Sequence, residues 1–172
     1  DGGTLIAFDP ATALPVEHFP LPLRLLIHPP VETPERFDNP VPESGYYCPG
    51  SLLRITVDTS NPLAFGMPKE AFAFSSGGQA FEVALLPEFN KGDEEIRTVA
   101  RYAASNVLAS GWLSGAGIVE GRPILVTARH GKGVVILFGF RPQFRGQTYG
   151  TFKLLLNAIY LASAKPLASG GS

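Results

Sequence analysis

Short apolar runs punctuated by Gly and Pro recur along most of the chain and predict β-strands. The first run, residues 4–8, is continuously apolar rather than alternating, which is typical of a strand covered on both faces. Residues 9–12 then open a helix that the following prolines limit to a turn or two. Further strands are predicted at 21–27 (or a short helix there), 51–58, 71–75, 80–86, 96–102, 107–112, 123–129 and 134–140, the last two forming a hairpin around residues 130–133.

The hydrophobic period changes to that of a helix only at residues 151–163. Thr148 or Gly150 precedes this helix as a cap, and Pro166 stops the chain beyond it. Its predicted apolar face consists of Phe152, Leu155, Leu156, Ile159 and Tyr160, broadened by Leu161. One long helix is too few to cover so many strands in a complete doubly wound domain. We therefore predict an α/β fold with a strand-rich mixed sheet and one long C-terminal helix, as part of a larger unit.

At 172 residues the chain fits one domain, which we place at residues 1–166. Residues 28–50 are Pro-rich and show no periodicity, so we predict a long surface loop there. The Gly- and Ser-rich residues 167–172 predict a flexible tail. Because the chain opens on Asp1 rather than Met and has no signal peptide, we expect a processed or truncated protein.

The net charge and the hydropathy of the chain argue against two classes of partner, nucleic acids and membranes. The net charge is −1 and only 17% of residues are charged, so nothing attracts the chain to nucleic acid or to anionic lipid. No apolar stretch approaches the roughly 20 residues that a membrane-spanning helix needs. We therefore predict neither a nucleic-acid partner nor a membrane partner.

Several segments resemble one protein superfamily, and together they cover nearly the whole chain. Residues 2–8 resemble the Gly-Gly strand of class I glutamine amidotransferase-like domains, and residues 61–68 resemble a His-Pro-Leu-x-x-Gly-Leu-Pro loop of their non-amidotransferase relatives. Other segments look like the C-terminal extension of bacterial zinc carboxypeptidases, in which a carboxypeptidase A-like domain is followed by such a domain. These segments are residues 47–54, 110–113, 131–133 and 138–153, and the most specific string is Phe-Arg-Pro-Gln-Phe-Arg-Gly-Gln at 140–147.

The resemblance implies a flavodoxin-like, class I amidotransferase-like domain, of which this chain is the C-terminal portion. It further implies a non-catalytic accessory or interaction domain of a bacterial zinc carboxypeptidase-like protein, with the peptidase chemistry and the zinc upstream of residue 1. The implied partners are the missing N-terminal part of the same domain or the catalytic domain, and a homo-oligomer is a further alternative. A secreted or periplasmic location follows from the same resemblance.

Neither a cysteine nucleophile nor a metal site is predicted within the chain. Cys48 is the only cysteine, and a strand rather than a helix follows it, so the Gly-x-Cys-x-Gly elbow of an amidotransferase is missing. The His-x-Glu that precedes the last helix in that family is replaced by Arg141-Pro142-Gln143. None of the three histidines has Glu at the third position after it, as a carboxypeptidase zinc site requires. A cysteine-dependent hydrolase or amidotransferase is thus the least favoured alternative, and we predict no catalytic residues and no cofactor in this chain.

The loop before the final helix carries the candidate binding residues Arg141, Gln143, Arg145 and Gln147. It follows a strand end, which is where open α/β sheets bind ligands. Two guanidinium groups and two amides could hold a small acid or a peptide terminus through forked hydrogen bonds. The structural alternative is that the arginines pair with acidic residues and brace the loop. Phe140 and Phe144 are predicted core residues in either case.

Overall fold

The computed structural model describes residues 2–27, 45–84 and 95–164. Short 3-10 turns at Asp9–Thr12 and Pro62–Ala64 accompany the longer elements of these ranges. In chain order those elements are β1 (Gly3–Phe8), α1 (Ala13–His18), β2 (Leu23–Leu25), β3 (Ser51–Val57), β4 (Glu70–Ser75), β5 (Phe81–Val83), β6 (Ile96–Tyr102), β7 (Leu108–Ser110), α2 (Ala116–Val119), β8 (Pro123–His130), β9 (Gly133–Phe138) and α3 (Tyr149–Ser163).

Within the described residues, seven strands form one mixed sheet in the order β1-β9-β8-β6-β3-β4, with β7 also pairing with β3. β1 runs parallel to β9, and the other pairs of this sheet are antiparallel. β2 and β5 form a separate antiparallel ribbon. This arrangement confirms the predicted α/β class with a strand-rich mixed sheet and one long C-terminal helix.

The strand predictions agree with the structure in position and differ in detail. The β8–β9 hairpin turns through two residues, not the four that were predicted, because His130 already pairs with Gly133. Gly131 has a positive φ of 56°, which a tight two-residue connection requires. The run at 21–27 contributes only the three residues of β2 to the ribbon. Most of the predicted 28–50 loop and all of the 167–172 tail lie outside the described residues, and no described helix is long and apolar enough to cross a membrane.

The continuous apolar runs of β8 and β9 arise because the sheet is covered on both faces there. The run at 4–8 predicted the same for β1, but β1 ends the described sheet, and Ala7 is its only buried residue. Side chains of a strand alternate between faces, so neighbouring residues of β8 and β9 enter different clusters. Leu125 and Phe138 belong to the larger cluster, which α3 joins. Val126 and Leu137 belong to the smaller cluster, together with Phe81 of the β2–β5 ribbon. Strands buried in this way need apolar residues at every position.

α3 packs on the sheet through a face that differs from the predicted one. Its buried residues are Thr151, Leu154 and Ala158, of which the last two join the larger cluster. Much of the predicted face stays exposed, namely Leu156, Ile159, Tyr160 and Leu161. The helix carries apolar residues on more than one face, so its period could not decide which face packs. Two of the three residues on the buried face, Thr151 and Ala158, have small side chains.

Truncating Leu154 is expected to destabilise the domain far more than truncating Leu156 on the same helix. Leu154 is fully buried, so Leu154→Ala removes core contacts and leaves a cavity that costs about 2–5 kcal/mol. Leu156 is half exposed, and Leu156→Ala should cost less than about 1 kcal/mol. The free energy of unfolding in urea measures both. Equal losses would show that α3 packs through the face that its sequence predicts.

Candidate functional site

The parallel pairing of β1 with β9 brings two chain segments together at one edge of the sheet. Phe8 pairs with Phe138 at the ends of these strands, so the segments that follow begin side by side. Asp9 follows β1, and residues 139–148 lead from β9 to α3. The carboxyl ends of parallel strands are where open α/β sheets place their binding and catalytic groups. This edge is therefore the candidate site.

Asp9 occupies a sharp turn between strand and helix. Its φ is 49°, a left-handed conformation that is uncommon for a residue other than glycine. A 3-10 turn begins at Asp9 and leads directly into α1, and the Thr12 hydroxyl donates to the Asp9 carbonyl oxygen at 2.6 Å. A strained turn from strand to helix is the geometry of a nucleophile elbow. The sequence motifs drew attention only to Cys48, and Asp9 was missed, although an apolar run ending in Asp-Pro before a short helix was a usable signal.

The Asp9 carboxylate forms an ion pair with Arg141, which lies in the segment after β9. Arg141 Nε donates to Asp9 Oδ2 at 2.8 Å, and the Asp9 side chain is only 5% exposed while that of Arg141 is 37% exposed. Burial raises the pKa of the Asp9 carboxyl group, and the hydrogen bond and positive charge of Arg141 only partly offset this effect. The pair thus joins the two segments through a nearly buried carboxylate.

The segment from Phe144 to Gln147 is a closed turn that packs on the sheet. The backbone N–H of Phe144 donates to the Gln147 carbonyl at 2.9 Å, and the reverse hydrogen bond is 2.8 Å long. The Phe144 ring stacks on Phe74 of β4, with ring centroids 4.9 Å apart. The guanidinium carbons of Arg141 and Arg145 lie 5.0 and 5.2 Å from the Phe144 ring centroid, within the range of cation–π contacts. Phe144 is half buried, so it is only partly the core residue that was predicted.

Two threonines join this turn to β4 and to α3. Thr148 is the N-cap residue of α3, as predicted, but its hydroxyl makes no capping hydrogen bond and donates instead to the Phe72 carbonyl of β4 at 3.0 Å. The Thr151 hydroxyl donates to the Pro142 carbonyl at 2.8 Å, which ties the first turn of α3 back to the loop. Phe140, at the start of the loop, is fully buried as predicted. These contacts fix the loop at both of its ends.

The four predicted binding residues do not surround one common cavity. Arg141 pairs with Asp9, and the side chains of Gln143 and Arg145 are exposed. Gln147 lines a cleft of about 570 Å³. The other residues that line this cleft include Phe74, Ser51, Ser110, Thr148 and Tyr149. The geometry therefore places Arg141 and Gln147 in different surroundings.

Cys48 lies in the core, away from any turn between strand and helix. It is 3% exposed, it precedes β3, and its thiol donates to the Ser75 carbonyl at 3.3 Å. Tyr46 and Tyr102 lie close to it, and burial raises the pKa of both phenols. A thiol in these surroundings is neither accessible nor beside a base.

The histidines that the structure describes are also separated from the site. His18 ends α1, and His130 ends β8, where its ring stacks on Phe19 with centroids 4.9 Å apart. His28 lies outside the described ranges. No group of three or more His, Cys, Asp or Glu side chains in the described parts of the chain is placed to hold a metal ion.

Comparison with known proteins gives the fold and no closer relationship. No family model and no curated protein matches the sequence. A solved structure from Thermoplasma acidophilum, named as a subunit of GMP synthase, is similar with a TM-score of 0.51 and 11% identity, over 92% of this chain and 57% of that chain. A ThuA-like protein from Bacteroides uniformis has a TM-score of 0.44 and 14% identity, over 95% of this chain and 60% of that chain.

The likeness to the Thermoplasma acidophilum structure is one of fold, and it agrees with the predicted α/β class. The chain spans somewhat more than half the length of the similar structures. Nothing in the likenesses connects it to zinc carboxypeptidases, so that finer resemblance stays a prediction. Sequence identity this low is evidence for the fold alone. The function of the site therefore has to be inferred from the residues of this chain.

The pH dependence of stability is expected to differ between the wild type and Asp9→Asn. The folded-state pKa of Asp9 is raised above its ordinary value near 3.8, so the folded state holds this proton more tightly than the unfolded state does. Stability contributed by protonated Asp9 is present below pH 3.8 and is lost as the pH rises through the folded-state pKa. The wild type should therefore lose stability relative to Asp9→Asn as the pH rises from about 3.5 towards neutrality, which urea unfolding midpoints measure. A relative gain with rising pH would show that Arg141 outweighs burial.

Proposed function

We propose that this chain acts as a non-catalytic interaction domain with a class I amidotransferase-like fold. The observation that carries the proposal is the Asp9–Arg141 ion pair, in which the residue at the strained elbow is buried and held by a guanidinium group. A nucleophile at such a turn has to reach its substrate, and a side chain that is 5% exposed cannot do so.

The chemistry of the pair supports the same interpretation. An ionised aspartate needs no base to act as a nucleophile, but its attacking oxygen has to be free to reach the substrate. Arg141 Nε instead donates to Asp9 Oδ2 at 2.8 Å, and its guanidinium group stays protonated throughout the physiological pH range, so it cannot serve as a base for a bound water. Cys48 is buried elsewhere in the core. The Asp9–Arg141 ion pair thus joins the two segments at the carboxyl ends of β1 and β9 and has a structural role.

The proposed parent of this domain is a bacterial zinc carboxypeptidase-like protein. The similarity of residues 110–113 and 138–153 to the C-terminal extension of bacterial zinc carboxypeptidases supports an accessory role in such a protein. Zinc and peptidase chemistry would then belong to a domain outside this chain, and the protein would be secreted or periplasmic. The partner surface would be the catalytic domain or the remainder of the amidotransferase-like domain.

A second candidate function is the binding of a small acid or a peptide terminus beside the Arg141–Gln147 loop. The cleft next to Gln147 favours it, because Phe74 and Tyr149 offer apolar surface while Thr148 and the serines offer hydroxyl groups. Arg145 is exposed and free of carboxylate partners among the described residues, so it is the available cation.

Substitution of the two arginines separates the bracing role from the binding role. Arg141→Ala leaves the buried Asp9 carboxylate without its partner and should lower the free energy of unfolding by about 2–4 kcal/mol. Arg145→Ala removes an exposed side chain and should cost less than about 1 kcal/mol. Urea unfolding of both variants measures the difference. Normal stability in both, combined with weaker binding of small carboxylates or peptides, would favour the binding function instead.

The thiol of Cys48 is expected to react with iodoacetamide only when the protein unfolds. Its burial and its hydrogen bond to the Ser75 carbonyl keep reagent away, so the native labelling rate should follow the unfolding equilibrium. Mass spectrometry over a urea series provides the measurement. Native labelling at or above the rate of free cysteine would contradict the proposal, as would hydrolysis of glutamine or simple esters that disappears in Asp9→Asn or Cys48→Ser.

A further inference from the structure

The cleft beside Gln147 has a rigid floor formed by the start of β3 and the end of β7. Ser51 is buried, and its hydroxyl donates to the Trp112 carbonyl at 2.7 Å and accepts from the Trp112 backbone N–H at 2.9 Å. Gly111 packs so closely here that a β-carbon on it would lie 2.5 Å from Ser51 Oγ. The two strands are therefore held together where they border the cleft.

The opposite wall of the cleft is the turn before α3, and this wall is fixed as well. Phe144 stacks on Phe74, and the Thr148 hydroxyl donates to the Phe72 carbonyl of β4. Phe74 and Thr148 themselves line the cleft, whose volume is about 570 Å³. The cleft is therefore a preformed site of the size that small-molecule ligands occupy.

Three side chains around the cleft have polar groups that are available to a ligand. The Gln147 amide, the Ser110 hydroxyl and the Tyr149 hydroxyl make no hydrogen bond to any other residue that the structure describes. Each of these groups is uncharged, and each can both donate and accept hydrogen bonds. A ligand in the cleft would therefore meet neutral polar partners.

None of the described residues that line the cleft is charged. Arg141 and Arg145 are not among the lining residues. The Arg141 guanidinium group pairs with Asp9, and that of Arg145 lies over the Phe144 ring. A small acid or a peptide terminus would thus bring its charge into a cleft whose lining offers no counter-charge. The lining favours a neutral ligand over the acid of the second candidate function.

Aromatic rings supply much of the apolar surface of the cleft. Phe74 lines it from β4, and Tyr149, which is 80% exposed, lines it from the start of α3. The C–H groups on one face of a pyranose ring pack against an aromatic ring, while the hydroxyl groups at its edge hydrogen-bond to amides and hydroxyls. A peptide strand fits less well, because the Phe72 carbonyl, with which it would pair at the edge of β4, is already bonded to Thr148.

We propose that this cleft binds a neutral pyranose residue of an oligosaccharide, whose ring face covers Tyr149 and whose hydroxyl groups bond to Gln147 and Ser110. The proposal rests on the second candidate function, because both use the same cleft, but it assigns a different ligand chemistry. It depends neither on the Asp9–Arg141 ion pair nor on the identity of the parent protein.

NMR titration of the isotope-labelled protein with maltohexaose, cellohexaose and N-acetylchitohexaose tests the proposal. At least one of these neutral oligosaccharides should shift the amide signals of residues 110–111 and 146–149 and saturate them with a Kd of about 1 mM or below. The absence of saturable shifts with all of them, at concentrations up to about 10 mM, would overturn the proposal. Saturation of the same signals only by succinate, or only by N-acetyl-trialanine amide, would also overturn it and would identify an acid or a peptide as the ligand.

Substitution of exposed tyrosines on α3 gives an independent measurement. Tyr149→Ala removes the ring on which the sugar would pack and should weaken binding at least about tenfold, whereas Tyr149→Phe keeps the ring and should weaken it only a few-fold. Tyr160→Ala is the matched control, because Tyr160 is exposed on the same helix and does not line the cleft. Equal affinity of the wild type and Tyr149→Ala would overturn the proposal. Catalytic turnover that depends on Asp9 would contradict the proposed loss of activity and would leave this result unaffected.

Discussion

The parallel pairing of β1 with β9 is the constraint on which the candidate site depends. It places the residue after β1 beside the loop after β9, although Asp9 and Arg141 are 132 positions apart in the sequence. The ion pair links this loop to the elbow turn, where Asp9 has a φ of 49°. A carboxylate this deeply buried costs folding energy unless it is paired, and Arg141 offsets only part of that cost.

The loop between β9 and α3 lies at the candidate site, and its contacts with neighbouring elements are structural. Phe144 stacks on Phe74, Thr148 bonds to the Phe72 carbonyl, and Thr151 bonds to the Pro142 carbonyl. Two of these contacts tie the loop to β4, and the third ties it to α3. A surface that holds its own groups together in this way is suited to presenting a fixed shape to a partner.

Sequence patterns located the elements well because burial on both faces and helical periodicity both leave local signals. β1, β3, β6 and the β8–β9 hairpin lie where apolar runs predicted them. Two features escaped prediction for physical reasons. The packing face of α3 could not be read from a helix that is apolar on more than one side. The pairing of Arg141 with Asp9 could not be read because it joins distant segments, although a bracing role for the arginines was among the alternatives.

The amino-acid sequence by itself determined the α/β class, the single long helix, the absence of an elbow around Cys48 and the arginine-rich loop before α3. These are local properties, set by hydrophobic period, turn residues and motif spacing. Tertiary structure alone decided that the elbow lies at Asp9, that Arg141 binds it, and that β1 ends the sheet of the described residues. Those three features require strand order, and strand order is fixed by contacts between residues far apart in the chain.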